Sequence, residues 1–203
     1  MIIPVIHCLN WHQIKTNLEV CQRQGITNVF LINHSHGMKA VLALSEWVRM
    51  AKEEFPSIGI GVNFLQLETP DAITEALKLN SWAVWSDLPG GFPDSGIPLF
   101  GPVAFKYQKH VPDWELESVC KEAMTQMNVV TTSGPGTGQP ASIKKIEAIR
   151  NYIGDFPLAI ASGVNLENKK LFEPLVDYML VASSITSPEN ELIIESKLEE
   201  LLK

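Results

Sequence analysis

Eight short apolar runs recur along this chain, and the polar residues at their ends hold most of the side chains able to do chemistry. In order these are His7, Asn33 with His34, Asn63, Ser86 with Asp87, Lys106, Thr132 with Ser133, Ser162 with Gly163, and Ser183 with Ser184. His7 carries the side chain best suited to proton transfer near neutral pH. Asp87 is the clearest carboxylate and a candidate general base; equally, it reads as a turn-forming Asp before Leu88-Pro89-Gly90-Gly91. Lys106 suits a substrate anion, or a Schiff base if burial depresses its pKa, and Lys109 and His110 compete for the anion role. Asn33 and Asn63 are expected to contact substrate. Cys8 adjoins His7, but neighbouring side chains on an extended chain point apart, so no Cys–His dyad is expected.

Two glycine-bearing stretches suggest an anion. Ser162-Gly163-Val164-Asn165 is read as opening a short helix, and Ser183-Ser184 closes the next apolar run. Glycine lets backbone approach a ligand, and exposed N–H groups at such turns favour phosphate. The expected phosphate donors are Ser162, Gly163, Val164, Ser183 and Ser184; the plainer reading is a tight turn with Asn165 as a cap. A second stretch, Ser133-Gly134-Pro135-Gly136-Thr137-Gly138-Gln139-Pro140, reads as a ligand-covering lid or as a flexible connector. Ser133, Gly134, Gly136, Thr137 and Gly138 are its expected ligand contacts. No Gly-Lys-Ser/Thr ending follows, which disfavours a nucleoside triphosphate. His34 and His36 lack an acidic partner at diagnostic spacing. No metal ligands are therefore assigned, a divalent ion is weakly supported, and no organic cofactor is indicated.

Composition narrows the class. The chain has 203 residues, 45% hydrophobic and 19% charged, with a formal net charge of -7. Without a Lys/Arg run, no grip on a nucleic-acid backbone is expected. No apolar stretch reaches the ~18 residues of a membrane span, and the first nine residues lack a basic flank and cleavage site. Cysteines at 8, 21 and 120 form neither metal spacing nor an even disulfide framework. A cytoplasmic location is expected.

The elements that must hold these residues alternate. Nearly continuous apolar spacing predicts buried parallel strands over 2–7, 28–33, 58–64, 82–86, 99–106, 128–132, 157–162 and 178–182. Helical spacing lies between them: Ile14, Leu18 and Cys21; Ala40 to Ala51; Leu116 to Ala123 behind Asp113; and Ile143 to Ile153 behind Ser142. Ser187-Pro188-Glu189 reads as the start of the last helix. At roughly 25 residues per unit this predicts a compact (β/α)8 TIM barrel, one domain over 1–203. Pro and Gly between Asp87 and Pro98 predict a reduced or missing fourth helix. A doubly wound sheet is the rival, but the first turn lacks its glycines. Barrels of this size often pair, so a homo-oligomer is compatible.

Val5-Ile6-His7, Gly61-Val62-Asn63-Phe64-Leu65, the approach to Lys106, Ser133 to Pro140, and Ile160-Ala161-Ser162-Gly163-Val164-Asn165 together resemble the BtpA/SgcQ family. The resemblance covers most of the chain and is strongest from Val129 to Ser184. It implies a barrel related to sugar-phosphate enzymes, within the wider phosphate-binding superfamily; the name-giving member of the family is linked to photosystem I biogenesis. The chain departs from the family after its first three strands, where Cys8-Leu9-Asn10-Trp11, Asn33-His34-Ser35-His36 and Gln66-Leu67-Glu68 stand. The expectation is thus a barrel binding a sugar phosphate or nucleotide-like ligand, with lyase, isomerase or phosphoribosyl chemistry open. A binding or assembly factor with a degenerate site is the alternative.

Overall fold

Short β-branched runs, each separated from the next by a helix-length segment, can bury both faces only as a parallel sheet covered by helices. The computed structural model describes residues 1–108, 110–136 and 138–203. Its strands are β1 (Ile2–His7), β2 (Asn28–Ile32), β3 (Gly59–Asn63), β4 (Val84–Trp85), β5 (Leu99–Pro102), β6 (Val129–Ser133), β7 (Leu158–Ala161) and β8 (Tyr178–Val181). All pair in parallel and in chain order, and β8 returns to β1 with Ile3 opposite Leu180, closing the barrel.

The helices are α1 (Trp11–Arg23), α2 (Met38–Glu54), α3 (Thr69–Lys78), α4 (Asp113–Ala123), α5 (Ile143–Ile153), α6 (Lys169–Phe172) and α7 (Glu195–Leu202). Asn10 caps α1 by accepting from Gln13 N at 3.0 Å, and Ser142 caps α5 by accepting from Lys145 N. As expected, no helix follows β4. Residues 86–98 carry Pro89, Pro93 and Pro98 and are tied down by side chains instead. Thr69 Oγ1 donates to Leu88 O at 2.7 Å, and Asn128 Nδ2 to Pro93 O at 3.2 Å. Among the described residues no helix is long and apolar enough to cross a membrane.

Alternation along each strand splits the core in two. Ile3, Val5, Phe30, Ile32, Trp85, Phe100 and Leu180 fill the barrel. Ile6, Leu31, Val62 and Val130 face outward against Leu18, Leu44 and Ile146 of the helices. Cys8 belongs to this outer layer, so it points away from His7.

Three boundaries differ from the sequence reading. β5 stops at Pro102 rather than Lys106, because Pro102 has no N–H to continue the ladder and Ala104 adopts a left-handed φ of 47°. The helix after β7 starts at Lys169, leaving Gly163–Asn165 in a turn where Asn165 Oδ1 accepts from Glu167 N and Asn168 N. Ser187-Pro188-Glu189 begins no helix. Ser187 N donates to Leu192 O, Glu191 takes φ 54°, and a Thr186–Ile193 bridge folds the segment into a loop before α7.

Candidate functional site

Strand parity decides which terminal side chains enter the mouth. His7 follows Ile3 and Val5 on the inward face of β1, and Asp87 follows Ala83 and Trp85. His7 Nδ1 lies 3.5 Å from Glu191 Oε2, and its ring meets His34 edge-on with centroids 4.8 Å apart. Burial, with the Lys106 cation second, holds the His7 pKa below 6.5. His34 is lowered by burial, by His7 and by Lys106, while the Glu191 carboxylate works in the opposite direction.

Glu191 comes from the loop before α7 and is held there by α1. Its carbonyl accepts from Gln13 Nε2 at 3.0 Å and from Asn17 Nδ2 at 2.9 Å, and Asn17 Oδ1 accepts from Ile193 N at 2.8 Å. Gln13 Nε2 also lies 3.2 Å from His7 O, so one helix face references both members of the pair.

Asp87 Oδ1 accepts from Asn63 Nδ2 at 3.1 Å. Burial raises its pKa, and the Asn63 hydrogen bond and Lys106 oppose that rise. Asn63 is buried, and its Oδ1 has no partner among the described residues. Lys106 stands in the turn beyond β5; its N–H donates to Ser133 Oγ at 2.7 Å, and its Nζ lies 5.8 Å from the Phe105 ring centroid.

A cavity of about 260 Å³ opens between these groups and the ends of β7 and β8. His7, Trp85 and Lys106 face Ser162–Asn165 and Ala182–Ser184 across it, and Val5, Ala161 and Leu180 form part of its apolar lining. Trp85 is buried with Nε1 unpartnered among the described residues. Asn165 N donates to Asn168 Oδ1 and Ile185 N to Ala182 O. The N–H groups of Gly163, Val164, Ser183 and Ser184 between them make no hydrogen bond with the described residues. Ser162 has φ 89°, an uncommon conformation for a side-chain-bearing residue.

The glycine-rich loop packs over this wall. A Cβ at Gly163 would come within 2.1 Å of Pro140 N, and one at Gly134 within 1.9 Å of Gln139 O, so only glycine permits that approach. Gly138 lines the cavity and Gly136 is buried in the loop. Ser133 and Gly134 border a neighbouring groove instead. Thr137 and Lys109 lie outside the described residues.

Asn33 is turned outward, donating to Ala40 O at 3.2 Å and accepting from Ser35 N at 2.9 Å. Neither Asn33, Asn63 nor Asp87 is among the residues lining the cavity. The sequence reading overlooked Glu191, whose only signal was its place in a loop mistaken for a helix. The contact between His7 and His34 had no signal in the sequence, because His7 pairs with Ile32 and His34 reaches its ring from beyond the end of β2.

No protein-family model matches the sequence, and no curated protein does either. Among solved structures, phosphoribosyl anthranilate isomerase from Thermus thermophilus is similar at TM-score 0.70 and 12% identity, over 99% of this chain and 96% of that one. Thiamine phosphate pyrophosphorylase from Pyrococcus furiosus gives 0.63 and 14%, over 99% and 92%. A 4-hydroxy-2-oxoglutarate and 2-dehydro-3-deoxyphosphogluconate aldolase gives 0.65 and 12%, over 98% and 92%. Likeness at such identity shows the barrel fold, on which unrelated chemistries are built.

Proposed function

We propose that this chain is a one-domain cytoplasmic barrel that binds a phosphorylated small molecule, of sugar-phosphate or nucleotide-like kind, and moves a proton on it. The observation that carries the reading is a wall of the cavity formed by Gly163, Val164, Ser183 and Ser184, whose backbone N–H groups have no partner among the described residues. Backbone donors without a partner suit a phosphate, and turns after the last two strands are where this fold commonly holds one. Several similar structures are named for phosphorylated compounds, which supports membership of the phosphate-binding barrel superfamily. The resemblance to the BtpA/SgcQ family supports the same group.

Across the cavity, His7 stays neutral at pH 7 because its pKa lies below 6.5. A proton on Nδ1 directed at Glu191 leaves the Nε2 lone pair for a substrate C–H or O–H, the arrangement of a general base. Lys106 balances charge developing on substrate oxygen, and Trp85 Nε1 supplies a further donor. Asp87, raised by burial, is a proton donor or acceptor behind Lys106. Such proton movement fits isomerase or lyase chemistry.

A non-catalytic binding or assembly factor of the BtpA type is favoured by one observation: Asp87 bonds Asn63 and does not line the cavity. Thermal unfolding against phosphorylated metabolites and their dephosphorylated counterparts tests both readings. A phosphorylated ligand at 100 times its dissociation constant should stabilise by ~2.7 kcal/mol. Gly163→Ala, which forces the 139–140 backbone to move, should diminish the shift. Phosphorus NMR of that mixture then separates turnover from plain binding. Flat curves for every phosphate, inorganic phosphate included, overturn the proposal.

A further inference from the structure

Between the β5–α4 loop, the β6–α5 loop and the two helices that follow lies a second, larger groove of about 900 Å³. That falls within the ~300–1,000 Å³ that small-molecule sites occupy. Its lining is unlike that of the mouth. Among the described residues its lining holds four basic side chains, Lys106, His110, Lys144 and Lys145, and one carboxylate, Asp113. The excess of basic groups stands on a protein whose net charge is -7. Apolar surface lies beside them, from Phe105, Val111, Leu116 and Ala148, with the rings of Tyr107 and Tyr152.

Lys145 is the centre of this arrangement. Its Nζ donates to Ser133 O at 2.7 Å and to Ala104 O, so two of its three donors tie the turn beyond β5 to the end of β6. The third has no acceptor among the described residues, and the side chain lines the groove. Burial lowers its pKa to about 8, the consequence of an ammonium that lacks a countercharge. Lys144 beside it forms no ion pair among the described residues. An unneutralised cation pair above an apolar, aromatic wall is complementary to one kind of small molecule.

We propose that this groove is a second ligand site, distinct from the mouth, which takes an organic anion with a flat apolar body and a single carboxylate head seated on Lys144 and Lys145. The body lies along Val111, Leu116, Ala148 and Tyr152, and the carboxylate supplies the countercharge those two lysines lack. The proposal does not depend on the phosphate reading, because the two cavities share only Lys106.

The probe is 1-naphthoate, titrated by its fluorescence into the purified protein with and without saturating inorganic phosphate. One site is expected, insensitive to phosphate. Its affinity should fall about tenfold in Lys145→Met and severalfold in Lys144→Glu, the loss of one charge-assisted contact each. Neutral 1-naphthylmethanol should bind about tenfold more weakly than the acid. Lys144 is exposed and makes no fold-holding contact, so Lys144→Glu keeps the test sound if Lys145→Met fails to fold. Undiminished binding by Lys144→Glu, equal binding of the alcohol, displacement by phosphate, or no binding of naphthoate each overturns the proposal.

Discussion

At the scale of single residues, burial shifts the pKa values of Asp87, His7 and His34 at the mouth. Asp87 illustrates the direction. Its folded pKa lies above 3.8, so the native state holds a proton that the unfolded chain has released in the window just above that value. Stability therefore falls as pH rises through that window and on through the raised folded pKa, above which a costly buried charge persists. Asp87→Asn keeps an oxygen for Asn63 and removes that charge. The variant should melt higher than the parent at pH 7, with the advantage shrinking toward pH 4, as followed by thermal melts across the range. A variant less stable at pH 7 than at pH 4, relative to the parent, contradicts a raised pKa. His7 and His34 act with the opposite sign: their lowered pKa values weaken the fold as pH drops below 6.5. The types and positions of His7 and Asp87 were legible in the sequence because strand ends are marked by the loss of apolar residues. Their protonation was not, since it depends on what other chain segments bring within a few ångströms.

The elements were legible where local preference and burial agree, and misread where a local signal competed with a longer-range one. Ser142 and Gly154 bracket α5 as their types suggest, with Gly154 at φ 58°. Ser187-Pro188-Glu189 carries an equally good helix start, yet the segment is claimed by contacts with α1. Asn17 is the residue that makes this claim: fully buried, it accepts from Ile193 N and donates to Glu191 O. Asn17→Ala leaves Ile193 N without its acceptor and takes one of two donors from Glu191 O, which keeps Gln13 Nε2, and a buried backbone group without a partner costs ~1–3 kcal/mol. Chemical denaturation should show a loss of about 2 kcal/mol. Because Glu191 is the influence that raises His34, its displacement should also lower the His34 pKa, read by NMR titration. Unchanged stability together with an unchanged His34 titration refutes this role for Asn17. Lys106 is the other misreading. It stands four residues beyond β5, where Pro102 and the left-handed Ala104 end the strand, and nothing local to Phe105-Lys106 announced that.

For the molecule as a whole, eight apolar runs, most followed by a helical segment, pointed to the closed barrel once the glycine-free turn after the first run disfavoured a doubly wound sheet. The missing helix after β4 was foreseen for a local reason, the prolines and glycines of 86–98. The donor wall at the ends of β7 and β8 was less visible. Four N–H groups without a partner among the described residues depend on backbone geometry that residue types only permit.

The clasp between α1 and the last loop also bears on when the site comes into being. Gln13 and Asn17 meet Glu191 across separations of 178 and 174 residues, so almost the entire chain must be ordered before these bonds form. Contacts this remote in sequence carry the largest loop-closure cost and tend to form late. A refolding chain should therefore regain most of its helical signal before His7 acquires its carboxylate neighbour. Stopped-flow circular dichroism compared with recovery of the native His7 environment, followed by pulse-labelling of the imidazole, would show the second lagging the first. Simultaneous recovery would mean that the clasp forms early and guides closure. If the lag holds, an incompletely folded barrel lacks its paired histidine, and the proton transfer proposed for His7 would begin only once the last unit has docked on the first.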